Sequence, residues 1–419
     1  MKKLFKVMAM LSFTVMLVPS AFATNGINLI AIGPISRAMG GVGVAQPMDA
    51  ISAVFSNPAA MCFGEYCPGS EFNFASTLFM PKIDAKVTNY QGTFSADAED
   101  NIYPIPAIGF SVPMGPDGSK WRFGLAAYGV SGLGVDYRNT SLENTDVYGG
   151  FPMVAGEYTQ LQIMKFAPSV AYQATPNLSI GLALPVDYGT LDLRSGSSSG
   201  FALGLLPGII YKPIENLSLG LTYTAPQKIN YKNVMNMGGS INSLELESPQ
   251  QVSFGIAYDF FGTGLVLEAD VKWLNWSNAD GYQDFDWDDQ TVFGIGAQYQ
   301  ATDKLVLRAG YNYAKNPVNE HNNFNGQTMT TVQGITMPTY YYETFRIIGF
   351  PAIVEHHVTL GIGYQFTDAF SLDLGFVYAF ENTMTETGTD FSPVPGGLPV
   401  ELESTLSETS LDFGLTWRF

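Results

Sequence analysis

The chain's 419 residues include 38 acidic and 20 basic side chains, 44 glycines, 29 phenylalanines and 22 tyrosines, and 14% are charged. This acidity excludes a nucleic-acid binder, whose partner's phosphates need a basic footprint. The low charge and a mean hydropathy of +0.09 suit a chain alternating between lipid and water better than a polar-surfaced globule.

Residues 1–23 read as a secretory signal: Lys2, Lys3 and Lys6, an apolar core over 7–18, and Ala21-Phe22-Ala23 as the cleavage site. The core falls short of the roughly 20 residues a spanning helix needs. It takes three basic and no acidic side chains, leaving 17 against 38, a net charge of −21. Every later apolar run is interrupted within about ten residues, so no spanning helix is expected and a membrane barrel is.

Residues 24–68 form a glycine-rich, nearly uncharged piece that is too short to be a domain alone. Asp49 is placed to cap a short helix over residues 50–56, which Pro58 would end. The tripeptide Asn57, Pro58, Ala59 follows, and then Cys62 and Cys67 flank Phe-Gly-Glu-Tyr. In an oxidising periplasm a small-loop disulfide is expected of the two cysteines, against free thiols or a metal pair that lacks other ligands.

Residues 38–43, 49–55 and 57–59 resemble the N-terminal hatch of the FadL/TodX family of outer-membrane transporters for hydrophobic compounds. The resemblance implies that residues 24–68 plug a barrel formed by residues 69–419, with Asn57, Pro58 and Ala59 as the gating motif.

From residue 70 onward, apolar residues recur at every second position, as in Leu217, Leu219, Leu221 and Tyr223, or Phe370, Leu372, Leu374 and Phe376. The pattern is lipid-out and water-in, with aromatics towards the strand ends. It predicts an all-β fold, an antiparallel transmembrane barrel of fourteen strands over 70–86, 104–114, 121–137, 159–174, 178–193, 199–212, 217–233, 249–261, 264–277, 290–301, 304–316, 355–367, 370–386 and 405–419. Short turns alternate with long connections over 87–103, 138–158, 233–248, 278–289, 316–354 and 387–404, which puts both chain ends on the periplasmic side. The link at 194–198 breaks the alternation by being short. The last strand alternates up to Phe419, similar to the ending that outer-membrane barrels present to the barrel-assembly machinery.

In the third strand Trp121, Phe123, Leu125 and Ala127 hold one phase, whereas Tyr128 and Val130 hold the other. Gly129, Gly132 and Gly134 surround the slip, as at a bulge. The family resemblance implies a kinked third strand with a side window into the bilayer here; an ordinary bulge is the alternative.

Parity places Glu268, Asp270, Lys272 and Arg308 on the lumen face. Lys272 or Arg308 could meet a ligand carboxylate. Pairing with the neighbouring acids is the other account. Phe55, just ahead of the motif, is a further candidate ligand contact.

No catalytic, metal or cofactor site is expected. The histidines are His321, His356 and His357, and no Gly-x-Ser-x-Gly elbow accompanies them. His356 and His357 would face opposite sides of a strand. The acidic run Asp284, Asp286, Asp288, Asp289 lacks the glycine and closing glutamate of a calcium loop.

The expected function is passive transport of a hydrophobic small molecule across a bacterial outer membrane, among lipid and lipopolysaccharide. Long-chain fatty acids are the first substrate and aromatic hydrocarbons the alternative, with hatch movement and lateral exit carried over from the family. A structural or adhesive barrel, with the Tyr340-Tyr341-Tyr342 loop as its binding surface, is the competing class.

Overall fold

A computed structural model describes residues 25–46, 48–62, 69–99, 102–115, 119–194, 196–237 and 240–419. The expected signal and Cys67 lie outside the described residues, as does the side chain of Cys62, so the disulfide expectation falls there too.

Fourteen antiparallel strands form the wall. They are Glu71–Asn89, Tyr103–Pro113, Trp121–Asp136, Tyr158–Thr175, Leu178–Ala183 continuing as Val186–Asp192, Ser197–Leu203 continuing as Leu206–Ile214, Leu217–Thr224 continuing as Gln227–Met237, Ser240–Ser248 continuing as Gln251–Phe260, Leu265–Leu274, Gln290–Thr302, Leu305–Ala314, His356–Thr367, Phe370–Thr389 and Pro399–Arg418. The first strand pairs with the fourteenth from Glu71 opposite Arg418 to Thr88 opposite Glu401, which closes the barrel. The expected strand count and closure are both met.

Alternation explains why these segments became staves. In the eighth strand Phe254, Ile256 and Tyr258 face outward, while Ser253, Gly255 and Ala257 face in and are buried. Leucine and aromatic side chains go to lipid, and small or polar ones line the bore.

Four expectations about the connections change. Residues 240–248, expected in a loop, pair with the seventh strand instead. The first strand runs to Asn89 and turns into a short strand, Gly92–Asp97, that pairs back on it. The fourteenth begins at Pro399 rather than at 405. The long connection at 316–354 contains a helix, Thr339–Ile347. The greasy alternation ends at the edge of the bilayer, whereas the backbone ladder continues into water, where Glu401 and Glu403 carry no apolar signal.

The fifth to eighth strands are each interrupted, at Leu184-Pro185, Gly204-Leu205, Ala225-Pro226 and Pro249-Gln250. Proline has no N–H for a ladder, so three of these interruptions follow from the sequence.

The N-terminal piece fills the bore. Helices Pro34–Ala38 and Ala50–Ser56 and residues 58–61 of the turn that follows are almost wholly buried. Asp49 caps the second helix as expected, its carboxylate accepting from Ser52 N at 2.6 Å while Ser52 Oγ accepts from Asp49 N. The long loops fold over one mouth as an aromatic lid in which Trp276 stands edge-on to Tyr282 and Trp287, and the three ring centroids lie 4.7–5.2 Å apart.

Candidate ligand cavity and gate

The plug is held by polar groups on the inner faces of the staves. Asp270 accepts from Gly43 N (3.0 Å) and Val44 N (3.2 Å), and Glu268 from Ala45 N (2.8 Å) and Gln46 N (3.2 Å). Lys272 donates to Gly41 O at 2.7 Å and Ile30 O at 3.4 Å. These three alternate residues of the ninth strand form a clamp with two acceptors and one donor, matched to the exposed amides and carbonyls of a glycine-rich loop. Their lumen-facing parity was legible in the sequence, but their partner was not.

Across the bore, Arg37 makes a 2.8 Å ion pair with Asp412, and both side chains are buried. Arg308 pairs with Asp373 at 2.7 Å and bonds Gln298, lower in the bore and away from the main cavity.

The Asn57-Pro58-Ala59 motif docks on two staves. Asn57 Nδ2 donates to Val44 O (2.8 Å) within the plug and to Ile209 O (3.1 Å) on the sixth strand. Ser179 of the fifth strand donates to Ala59 O at 2.8 Å. Gly181 and Gly208 sit opposite each other on these strands. A Cβ on Gly208 would lie 2.0 Å from Asn57 Oδ1, and one on Gly181 2.2 Å from Ala59 N, so only glycine admits the motif.

Above the motif lies a cavity lined by Leu29, Ile30, Phe55, Tyr128, Val130, Leu206 and Leu274 and by the polar Lys165, Gln227 and Lys272. Phe55 stands edge-on to Tyr128, with centroids 5.5 Å apart. Lys165 is bonded to Asp187 Oδ2 at 2.8 Å and to Gln227 Oε1 at 2.6 Å, and Gln227 Nε2 donates to Asp187 Oδ1 at 2.7 Å. Sequence reading missed this triad, whose signals were the inward parity of Lys165 and the prolines at 185 and 226 that start new half-strands.

The phase slip in the third strand is a bulge. Gly129 pairs with Met164 and Ser131 with Ile163, leaving Val130 between them unpaired in the ladder. The start of the plug fills that vacancy, with Leu29 N donating to Val130 O at 3.0 Å and Gly132 N to Ile27 O at 3.1 Å. A Cβ on Gly129 would meet Ile105 at 2.5 Å, and one on Gly134 would meet Thr159 O at 2.3 Å.

In the lid, Tyr340, Tyr341 and Tyr342 are helical and buried rather than displayed, which counts against the competing adhesive reading of this segment. Tyr340 and Tyr341 donate to Met153 O and Pro152 O. His321 lies between Glu343 (3.0 Å to Nδ1) and Asp286 (2.8 Å to Nε2), and Arg346 joins Glu343 to Glu386. The hydrogen bond to Glu343 raises the pKa of His321 above its ordinary value, against the opposing pull of burial and of Arg346. His356 is exposed and His357 buried, on opposite faces as expected. Asp284 and Asp289 are spent on loop partners, Gly281 N and Ser277.

The family profile described as outer membrane protein transport protein (OMPP1/FadL/TodX) matches residues 13–200 and 191–325. The chain belongs to this family. Its members are transport channels rather than enzymes.

Among solved structures, this FadL/TodX-family chain is similar to the toluene transporter TodX of Pseudomonas putida (20% identity, TM-score 0.66, covering 93% of this chain and 99% of that one). It is also similar to a FadL homologue of Pseudomonas aeruginosa (15% identity, TM-score 0.68, covering 94% and 99%). At such identities the likeness concerns the fold, a plugged outer-membrane barrel. A 47 kDa outer membrane protein of Pasteurella multocida is 22% identical over 268 residues, 56% of each chain, so the chain spans just over half the length of that curated relative.

Proposed function

We propose that the protein is a passive outer-membrane channel for uncharged hydrophobic compounds, with monoaromatic hydrocarbons ahead of long-chain fatty acids. The observation that carries this reading is the state of the cavity lysines: Lys165 is neutralised by Asp187, and Lys272 is committed to plug carbonyls. A fatty-acid carboxylate would have to displace one of these buried partners, and separating a buried ion pair is costly. An uncharged aromatic needs only the apolar lining, gaining about 25 cal/mol per Å² of apolar surface it buries.

Cargo entering the cavity presses on Leu29, Ile30 and Phe55, which belong to the plug. Displacing Ile27–Leu29 from the third strand uncovers the bulge at Val130, and cargo leaves sideways towards lipid through the Gly129–Gly134 window. No energy source is required, because transfer from water to lipid is itself downhill. Both chain ends lie on the periplasmic side, with the plug entering the bore from below.

The test compares uptake of labelled toluene and labelled oleate in cells carrying the intact protein or a form lacking residues 57–59. The reading expects toluene uptake above empty-vector cells in the intact strain and a clear change on deletion. Uptake of oleate alone would reassign the substrate to fatty acids, and uptake of neither would remove the transport reading.

A further inference from the structure

The short link at 194–198, anomalous in the sequence, belongs to a part of the wall built differently from the rest. The upper half of the sixth strand, Ser197–Leu203, pairs on one side with Val186–Asp192. On its other side no ladder joins it to the upper half of the seventh strand, Gln227–Met237, among the described residues; the latter forms a separate two-stranded sheet with Ser240–Ser248. Below the interruption the same two strands are properly paired, from Gly208 opposite Thr222 to Ile214 opposite Leu217. The barrel therefore has a seam running outward from Gly204 and Ala225.

The two hairpins lap across this seam. Gly189 and Gly200 are paired on the outer leaf, and Cβ atoms there would lie 2.2 Å from the Tyr231 hydroxyl and 2.6 Å from Ile229 Cγ2 respectively. Ile229 and Tyr231 thus pack at close range against two glycines, where any side chain would collide with them. The seam is crossed by Lys232 N donating to Ser198 Oγ at 2.9 Å. At its foot, Gln227 is tied to Lys165 and Asp187, and all three are buried.

The foot of the seam faces the cavity already described, since Pro185, Leu206 and Gln227 line it. A line of paired residues connects it to the third-strand bulge: Gly129 pairs with Met164, Met164 with Tyr188, and Tyr188 with Phe201. Outside it, Phe201 and Leu203 are 70% and 71% exposed, and Ser197 and Ser199 follow above them, so the seam crosses from the lipid band into the polar interface. A permanently open strand edge is not tolerated against hydrocarbon. An edge covered by a side-chain lap at the interface is tolerated, and it can part without breaking a backbone ladder.

We propose that the seam between the sixth and seventh strands is a second lateral door, through which uncharged hydrophobic cargo passes between the cavity and the outer leaflet. The Lys165–Asp187–Gln227 triad is its latch. The third-strand window is sealed by backbone bonds from Leu29 and Gly132, whereas the seam is sealed by a side-chain lap and by this triad. This proposal rests on the transport reading above.

The test uses disulfide locks in a background with Cys62→Ser and Cys67→Ser. Ser198→Cys with Lys232→Cys locks the seam, and Asn28→Cys with Ser131→Cys locks the third-strand window. Labelled toluene uptake is measured in cells under oxidising conditions and after reduction, and heat-modifiable electrophoretic mobility confirms that each barrel is folded. The reduced forms serve as internal controls. The expected result is that the oxidised seam lock lowers uptake at least twofold, the oxidised window lock leaves a residue of uptake, and both locks together abolish it, with reductant restoring all three. The door is refuted if the oxidised seam lock changes nothing in either background, or if the window lock alone abolishes uptake. Absence of uptake by the unlocked parent would instead refute the transport reading.

Discussion

The two halves of the sixth strand are built by opposite rules. Below Leu205, the stave is laddered on both sides and presses Gly208 against Asn57 of the plug; above Gly204, it is laddered on one side and presses Gly200 against Ile229 of a sliding hairpin. Both glycines exist for close approach, but one approach is pinned by hydrogen bonds to a buried amide and the other is a smooth apolar contact. A wall that must hold a plug is built from directional bonds. A wall that must part is closed by side-chain contacts and a few side-chain hydrogen bonds in place of a backbone ladder.

The comparison is broken most severely at the charged pins of the lower half. Arg37→Met removes the cation facing Asp412 and the neighbouring buried Glu408, and an unpaired buried charge costs about 3–5 kcal/mol. A fall in the chemical-unfolding midpoint together with a rise in single-channel conductance would show the plug leaving its seat. Next in size are Asn57→Ala and Gly208→Val. The first strands the Val44 and Ile209 carbonyls at about 1–3 kcal/mol, and the second overpacks the same contact by about 1–3 kcal/mol. Both are expected to admit antibiotics normally excluded by the outer membrane, read as a lower inhibitory concentration.

Gly200→Val, eight residues away in the same strand, sharpens the contrast. A Cβ at Gly200 meets the side-chain methyl of Ile229 at 2.6 Å, and a lap that slides as proposed accommodates it, so the cost is expected below about 1.5 kcal/mol, with conductance unchanged and toluene uptake altered. Equal effects of Gly208→Val and Gly200→Val on conductance would erase the distinction between the halves.

The smallest effect concerns the lid. His321 bonds a carboxylate through each ring nitrogen, which requires the protonated ring. Its folded pKa is raised, so its contribution is complete below about 6.5 and is lost as pH rises through the folded value. Hydrogen exchange in residues 339–347 is therefore expected to quicken from pH 6 to pH 9, after correction for intrinsic exchange, and His321→Ala to flatten that dependence. The stabilisation involved is under about 1 kcal/mol.

Much of the chain was legible because the bilayer imposes a period of two on each stave. The alternation of Phe254, Ile256 and Tyr258 against Ser253, Gly255 and Ala257 marks the eighth strand, and the slip at Tyr128 and Val130 marks the bulge that the structure contains. The strand ends beyond the bilayer were misjudged, because water rewards no alternation there. The clamp was half legible: parity put Glu268, Asp270 and Lys272 inside, but nothing in their spacing said that they hold the amides of residues 43–46 and the carbonyls of residues 30 and 41.

Sequence alone determined the barrel of fourteen staves, the capped helix after Asp49 and the place of the bulge, because each depends on contrasts between residues close together along the chain, whereas the plug was implied by the family resemblance. Tertiary structure alone decided that Asn57 reaches the sixth strand, that Lys165 is neutralised by Asp187, and that the seventh strand laps its neighbour without a ladder. These arise where segments tens to hundreds of residues apart meet, and no local periodicity encodes which carbonyl, carboxylate or glycine will stand opposite.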